Sequence, residues 1–148
     1  MNNHTYLRAY LAGVFLPTLA FPALLTVLFL GQLTQPTPFP VERIVVFPLT
    51  FVPACWGLWN MLWVASRHRT HLPLGLHGAT LFLLLLPAGA TLAKALGVIT
   101  LGPHSVTWFH AIEAPYAVIA CGVAFALAMY YLAWKYVIGL VNRVLGVA

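Results

Sequence analysis

YLAGVFLPTLAFPALLTVLFL, Tyr10 to Leu30, runs for 21 residues without a charged side chain. A hydrocarbon layer about 30 Å thick is crossed by a helix of about 20 apolar residues, so the stretch reads as a membrane span. It is too long for the apolar part of a signal peptide. FLGQLTQPT, which follows, offers no small-x-small cleavage site, so the segment is expected to be retained. Three further apolar runs occupy about 41–65, 72–99 and 114–141. None alternates apolar and polar residues as a barrel strand would. In lipid the backbone must satisfy its own hydrogen bonds, and runs of this length do so as helices.

Composition agrees. The chain has 148 residues, 62% hydrophobic and 6% charged, against about 25% charged in soluble domains. The expected architecture is therefore an all-α, single-domain, four-span integral membrane bundle. Seven Lys+Arg against two Asp+Glu give a net charge of +5. The basic residues punctuate the apolar runs and do not interleave with aromatics, so they read as topology signals and headgroup contacts. Nucleic acid is not an expected partner.

The breaks between runs carry turn chemistry. QLTQPTPFP (32–40) holds three prolines, SRHRTHLP (66–73) ends at Pro73, and LGPHSVTWFH (101–110) forms the third loop. Pro73 and Pro115 suit the first turn of a helix. Arg8, Arg67, Arg69, Lys135 and Arg143 fall on the side shared by both termini and the second loop, whereas Arg43 and Lys94 fall on the other. Positive charge on short loops stays inside, so both termini are expected to be cytoplasmic, in a bacterial inner membrane. Glu42 and Glu113 then lie outside, at the starts of helices two and four, where the helix dipole favours them.

Close helix packing in lipid relies on small residues. Gly89, Ala93 and Gly97 in helix three, and Ala117, Ala120, Ala124 and Ala128 in helix four, predict a contact between those helices in the outer half of the bilayer. Helices one and two each carry prolines five apart, Pro17/Pro22 and Pro48/Pro53, within segments that resemble each other. Two kinked helices are expected, with Thr18 and Thr50 near the freed carbonyls.

The chemistry is sparse. No carboxylate sits in the middle of a span, so the embedded glutamate of the small multidrug transporters has no counterpart. Cys55 and Cys121 stand alone in different helices, unlike the Cys-x-x-Cys of disulfide-generating membrane oxidoreductases. The first two spans lack histidine, which disfavours a transmembrane haem. Two groups remain. On the inner side Trp56, Trp59 and Asn60 share a face of helix two, with His77 near the same edge. They suggest a pocket for a lipid tail, a quinone or a flat amphiphile, or else an amide that ties two helices together. On the outer side Glu42, Lys94, His104, His110 and Glu113 form a polar cluster. His110 and Glu113 are expected on one face of helix four, and zinc, an ion pair through Lys94 or a solvated rim are the alternatives. No catalytic set is assigned and no resident cofactor is expected apart from that zinc alternative.

Three functional classes follow. The favoured one is a non-enzymatic accessory or lipid- and hydrophobe-binding bundle that self-associates or joins a membrane-protein partner. The second is an oligomeric transporter or channel that moves on helices one and two. The third is a membrane enzyme acting on lipid or quinone.

Overall fold

A computed structural model describes residues 4–34, 41–69, 71–110 and 112–147, with backbone alone over 41–50. Helix α1 spans Thr5–Thr34, α2 Val41–Ser66 and α3 Leu74–Ala95. A three-stranded antiparallel sheet follows: β1 Ile99–Leu101, β2 Ser105–Trp108 and β3 Ile112–Pro115. Helix α4, Tyr116–Leu132, continues through a π-helical turn, Ala133–Ile138, into α5, Gly139–Val144. Among the described residues three helical segments, Thr5–Thr34, Leu74–Ala95 and Tyr116–Val144, are long and apolar enough to cross a membrane.

The sheet corrects the all-α expectation. Between the third and fourth apolar runs the chain does not form an open loop; it forms a meander. Ile99 pairs with Trp108, Leu101 with Val106, and Thr107 with Glu113. The reason is local. Val, Thr, Trp and Ile favour a pleated strand, and Gly102–Pro103 turns the chain between β1 and β2. Gly102 N–H donates to the Ser105 carbonyl at 2.8 Å to close that turn. Tyr116 clasps the same hairpin, its N–H donating to His104 O and its hydroxyl to Gly102 O.

Helix three is consequently shorter than the run 72–99. Gly97 adopts φ +69°, its N–H donates to Lys94 O, and the Val98 N–H donates to Ala93 O. That is a Schellman cap, in which a left-handed glycine terminates the helix. Gly97 is therefore a stop signal and not a packing residue. Helix four starts later than residue 114 because β3 uses Ala114 and Pro115, and Pro115 serves as its N-cap residue.

The chain divides into two compact units. Unit 1 comprises residues 1–74 and 136–148, which carry α1, α2 and α5. Ala9 approaches Asn60, Gly13 approaches Gly57, and Pro17 lies with Pro53, so α1 and α2 run antiparallel. The backbones touch at Gly13, where a Cβ would stand 2.5 Å from the Trp56 carbonyl oxygen and 2.8 Å from the Gly57 Cα. Ala9, Val64 and Val147 form a small core flanked by Met61, Trp63 and Leu145.

Unit 2, residues 75–135, holds α3, the sheet and α4. Here the helices approach at Gly75, against the Tyr131 ring, and at Gly78, against the Trp134 indole. Phe82 meets Tyr130 with ring centroids 5.0 Å apart. The predicted stripe contact does not form. A Cβ at Gly89 meets nothing within 4 Å, and Ala117, Ala120, Ala124 and Ala128 are exposed. The bulky rings at the other end need the glycines opposite them, and the contact forms there.

Candidate functional site

Lipid-exposed polar side chains must find partners without water. The threonines do so within their own helix. Thr18 donates to Val14 O at 2.8 Å, Thr26 to Pro22 O, Thr80 to Leu76 O and Thr91 to Pro87 O. Such back-bonding suits a hydroxyl, which donates one proton. An amide has two donors and an acceptor and needs a second helix.

Asn60 shows this. Its Nδ2 donates to Ala9 O at 2.7 Å and to Asn142 Oδ1 at 2.8 Å, and Asn142 Nδ2 donates back to Asn60 Oδ1 at 3.1 Å. Both side chains have no exposed surface. Three elements are thereby tied: α1 through a backbone carbonyl, α2 and α5 through a reciprocal amide pair. Asn142 lies on α5, which follows the π-helical turn Ala133–Ile138. Asn60 therefore lines no opening; Trp56 beside it is buried and Trp59 half-buried. His77 belongs to unit 2, on α3, and is half-buried.

Sequence reasoning required a partner for Asn60 and missed which residue supplies it. Asn142 lies one residue beyond the fourth apolar run, 114–141. The available signal was that it is the other asparagine within an apolar helix.

Further along α1, Pro17, Thr18, Phe21, Pro22 and Leu25 line an open groove of about 280 Å³ together with Pro53 of α2. The groove's one hydroxyl, on Thr18, is committed to Val14 O and Phe15 O. What remains is an apolar trough. Pro48 and Thr50 lie outside the residues whose side chains are described.

The expected outer polar cluster takes a different form. Glu113 is on β3 and not at the start of a helix, so it does not share a helical face with His110. Its carboxylate accepts the hydroxyl of Ser105, which is largely buried on the same face of the sheet. His110 and Phe109 occupy the turn before β3 with φ of +57° and +53°. Two consecutive non-glycine residues in the left-handed region store backbone strain, held here by the strand pairing on either side and by Phe109 N–H donating to Val98 O. His104 occupies the β1–β2 turn, and Lys94 is exposed near the end of α3. Among the described residues no three His, Cys, Asp or Glu side chains gather as metal ligands. Glu42 has no described side chain.

The remaining polar feature is at the end of unit 1. Gly146, at φ +65°, closes α5 with a second Schellman cap, Gly146 N–H to Arg143 O and Val147 N–H to Asn142 O. Arg67 Nη1 donates to Val147 O at 2.6 Å, and Arg8 Nη1 reaches Leu145 O at 3.5 Å. The Arg67 guanidinium also lies 5.7 Å from the centre of the Trp63 ring. Cations at helix C-terminal carbonyls are favoured by the dipole.

No protein-family model, curated protein or solved structure matches the chain.

Proposed function

We propose that this is a small non-enzymatic polytopic membrane protein that binds a lipid acyl chain or a similar hydrophobe in the α1–α2 groove. It resides in a bacterial cytoplasmic membrane with both termini inside, and it self-associates or serves a membrane-protein partner. The observation that carries this reading is the trough at Pro17, Thr18, Phe21, Pro22, Leu25 and Pro53, whose polar group is already committed to its own helix. A groove with that lining selects for apolar shape and area, worth about 25 cal/mol per Å² buried. Five basic residues on the terminal side against two on the other support the orientation.

One observation weighs against a transporter and another against an enzyme acting through the outer pair. Thr18 faces the trough, whereas Asn60 is sealed inside the amide pair, so these two polar groups do not share one water-accessible path. The acid–base pair an enzyme would need at His110 and Glu113 is replaced by the Ser105–Glu113 contact.

The test is native mass spectrometry of the protein released from mild detergent, with Leu25→Trp as the groove-filling variant. Wild type retains bound lipid or hydrophobe, and the variant loses most of it while keeping its helical circular dichroism. Identical retention in both proteins removes the groove as the site. Reporter fusions at each terminus check orientation, and a periplasmic signal from either end contradicts it.

A further inference from the structure

We propose that Arg8 and Arg67 form a binding site for the phosphodiester of an anionic phospholipid at the end of unit 1. The site rests on the reading that this end lies at a membrane surface. Three elements build it: the start of α1, the end of α2 and the segment after α5. Arg8 and Arg67 reach carbonyls two residues apart, Leu145 O and Val147 O. Gly146 between them is required by its φ of +65° and not by space, for a Cβ there would stand 3.7 Å from Arg8 Nη1, an ordinary contact. Each guanidinium has five N–H donors in a planar fork, and each spends one on its carbonyl. The rest are available to an anion.

The charge around them is unbalanced. Arg69 and Arg143 are exposed at the same end of the unit. The one carboxylate side chain in unit 1, Glu42, belongs to the first turn of α2, the opposite end of that 26-residue helix from Arg67. Trp63 beneath Arg67 is the residue type that settles at the headgroup level, apolar body inward and ring edge wet. The carbonyls fix the two arginines in place before any ligand arrives, so little side-chain entropy is lost on binding. Phosphate recognition by planar forks is bidentate and charge-assisted. Inorganic phosphate has the same recognition chemistry, but Leu7 beside Arg8 and Val144 beside Arg143 are apolar side chains left exposed at this end of the unit. A headgroup carried on acyl chains is the occupant that uses both.

Native mass spectrometry in mild detergent with equal phosphatidylglycerol and phosphatidylcholine reads the preference. Wild type is expected to bind the glycerol lipid about tenfold over the choline lipid. Arg8→Gln/Arg67→Gln should bring that ratio near one. The single variant Arg8→Gln, at an exposed residue with the longer contact, should give an intermediate ratio and covers the case in which the double variant unfolds. Leu25→Trp should lower total lipid and leave the ratio unchanged, so failure of the groove reading and failure of this one are separate outcomes. A wild-type ratio near one, or a ratio insensitive to both arginines, overturns the site. Displacement of the bound lipid by added inorganic phosphate overturns the lipid headgroup as its occupant.

Discussion

Unit 1 and unit 2 hold apolar helices together by different means, and the contrast follows from which polar side chains each contains. Between lipid-facing helices there is no hydrophobic drive, so packing and hydrogen bonds must serve. Unit 1 has both asparagines that lie in apolar helices, and it uses them in one buried amide pair that reaches a third element through Ala9 O. It adds backbone contact at Gly13 and arginine clasps on the final carbonyls. Unit 2 has no such amide. Its helices meet through glycines under aromatic rings at one end and are joined by the sheet at the other, while the middle of each helix stays exposed. A span tied along its length has a fixed partner inside the chain. One tied at its ends leaves its middle exposed.

Substitutions test that difference. Asn60→Ala should be the most damaging. It strands the Asn142 amide and frees the Ala9 carbonyl in a buried place, a cost of about 2–4 kcal/mol, read by reversible unfolding from mild detergent. Gly13→Ala comes next, at about 1–3 kcal/mol, because the added methyl meets backbone that cannot rotate away. Gly146→Ala should cost about 1–2 kcal/mol through its left-handed φ and loosen the carbonyls that Arg8 and Arg67 hold. Gly89→Ala in unit 2 should change stability by less than about 0.5 kcal/mol or raise it slightly, since the new methyl meets open space and alanine favours helix. If Gly89→Ala proves as harmful as Gly13→Ala in the monomer, the two units do not differ as described.

Much of this was legible in the residues and some was not. The helices were, because long apolar runs with few charges demand them: α1 and α2 cover the runs at 10–30 and 41–65, α1 extending further at both ends. The need of Asn60 for a partner was legible from hydrogen-bond arithmetic. Its partner was not, because Asn142 lies 82 residues away and just past the fourth apolar run, and nothing local at either asparagine announces the pairing. The sheet was missed because Ile99 and Leu101 are as apolar as the helix before them, and hydropathy does not distinguish a strand from the end of a span. Leu96-Gly97-Val98 and Leu145-Gly146-Val147 share a three-residue pattern that marks both Schellman caps. Read as a stop signal, it would have ended helix three in the right place. The small-residue stripes misled for a related reason: alanine permits close approach but does not compel it, whereas Tyr131 and Trp134 need Gly75 and Gly78 opposite them.

The claim on which the rest stands is that Asn60 and Asn142 act as one unit. A double-mutant cycle with Asn60→Ala and Asn142→Ala, measured by reversible unfolding in detergent–lipid mixtures, isolates their coupling. The pair should couple by about 0.6–1.7 kcal/mol, the range found for hydrogen bonds between membrane helices, with the double variant less damaged than the sum of the singles. Strict additivity would mean that the two amides do not meet in the membrane, and the account of unit 1 would be wrong.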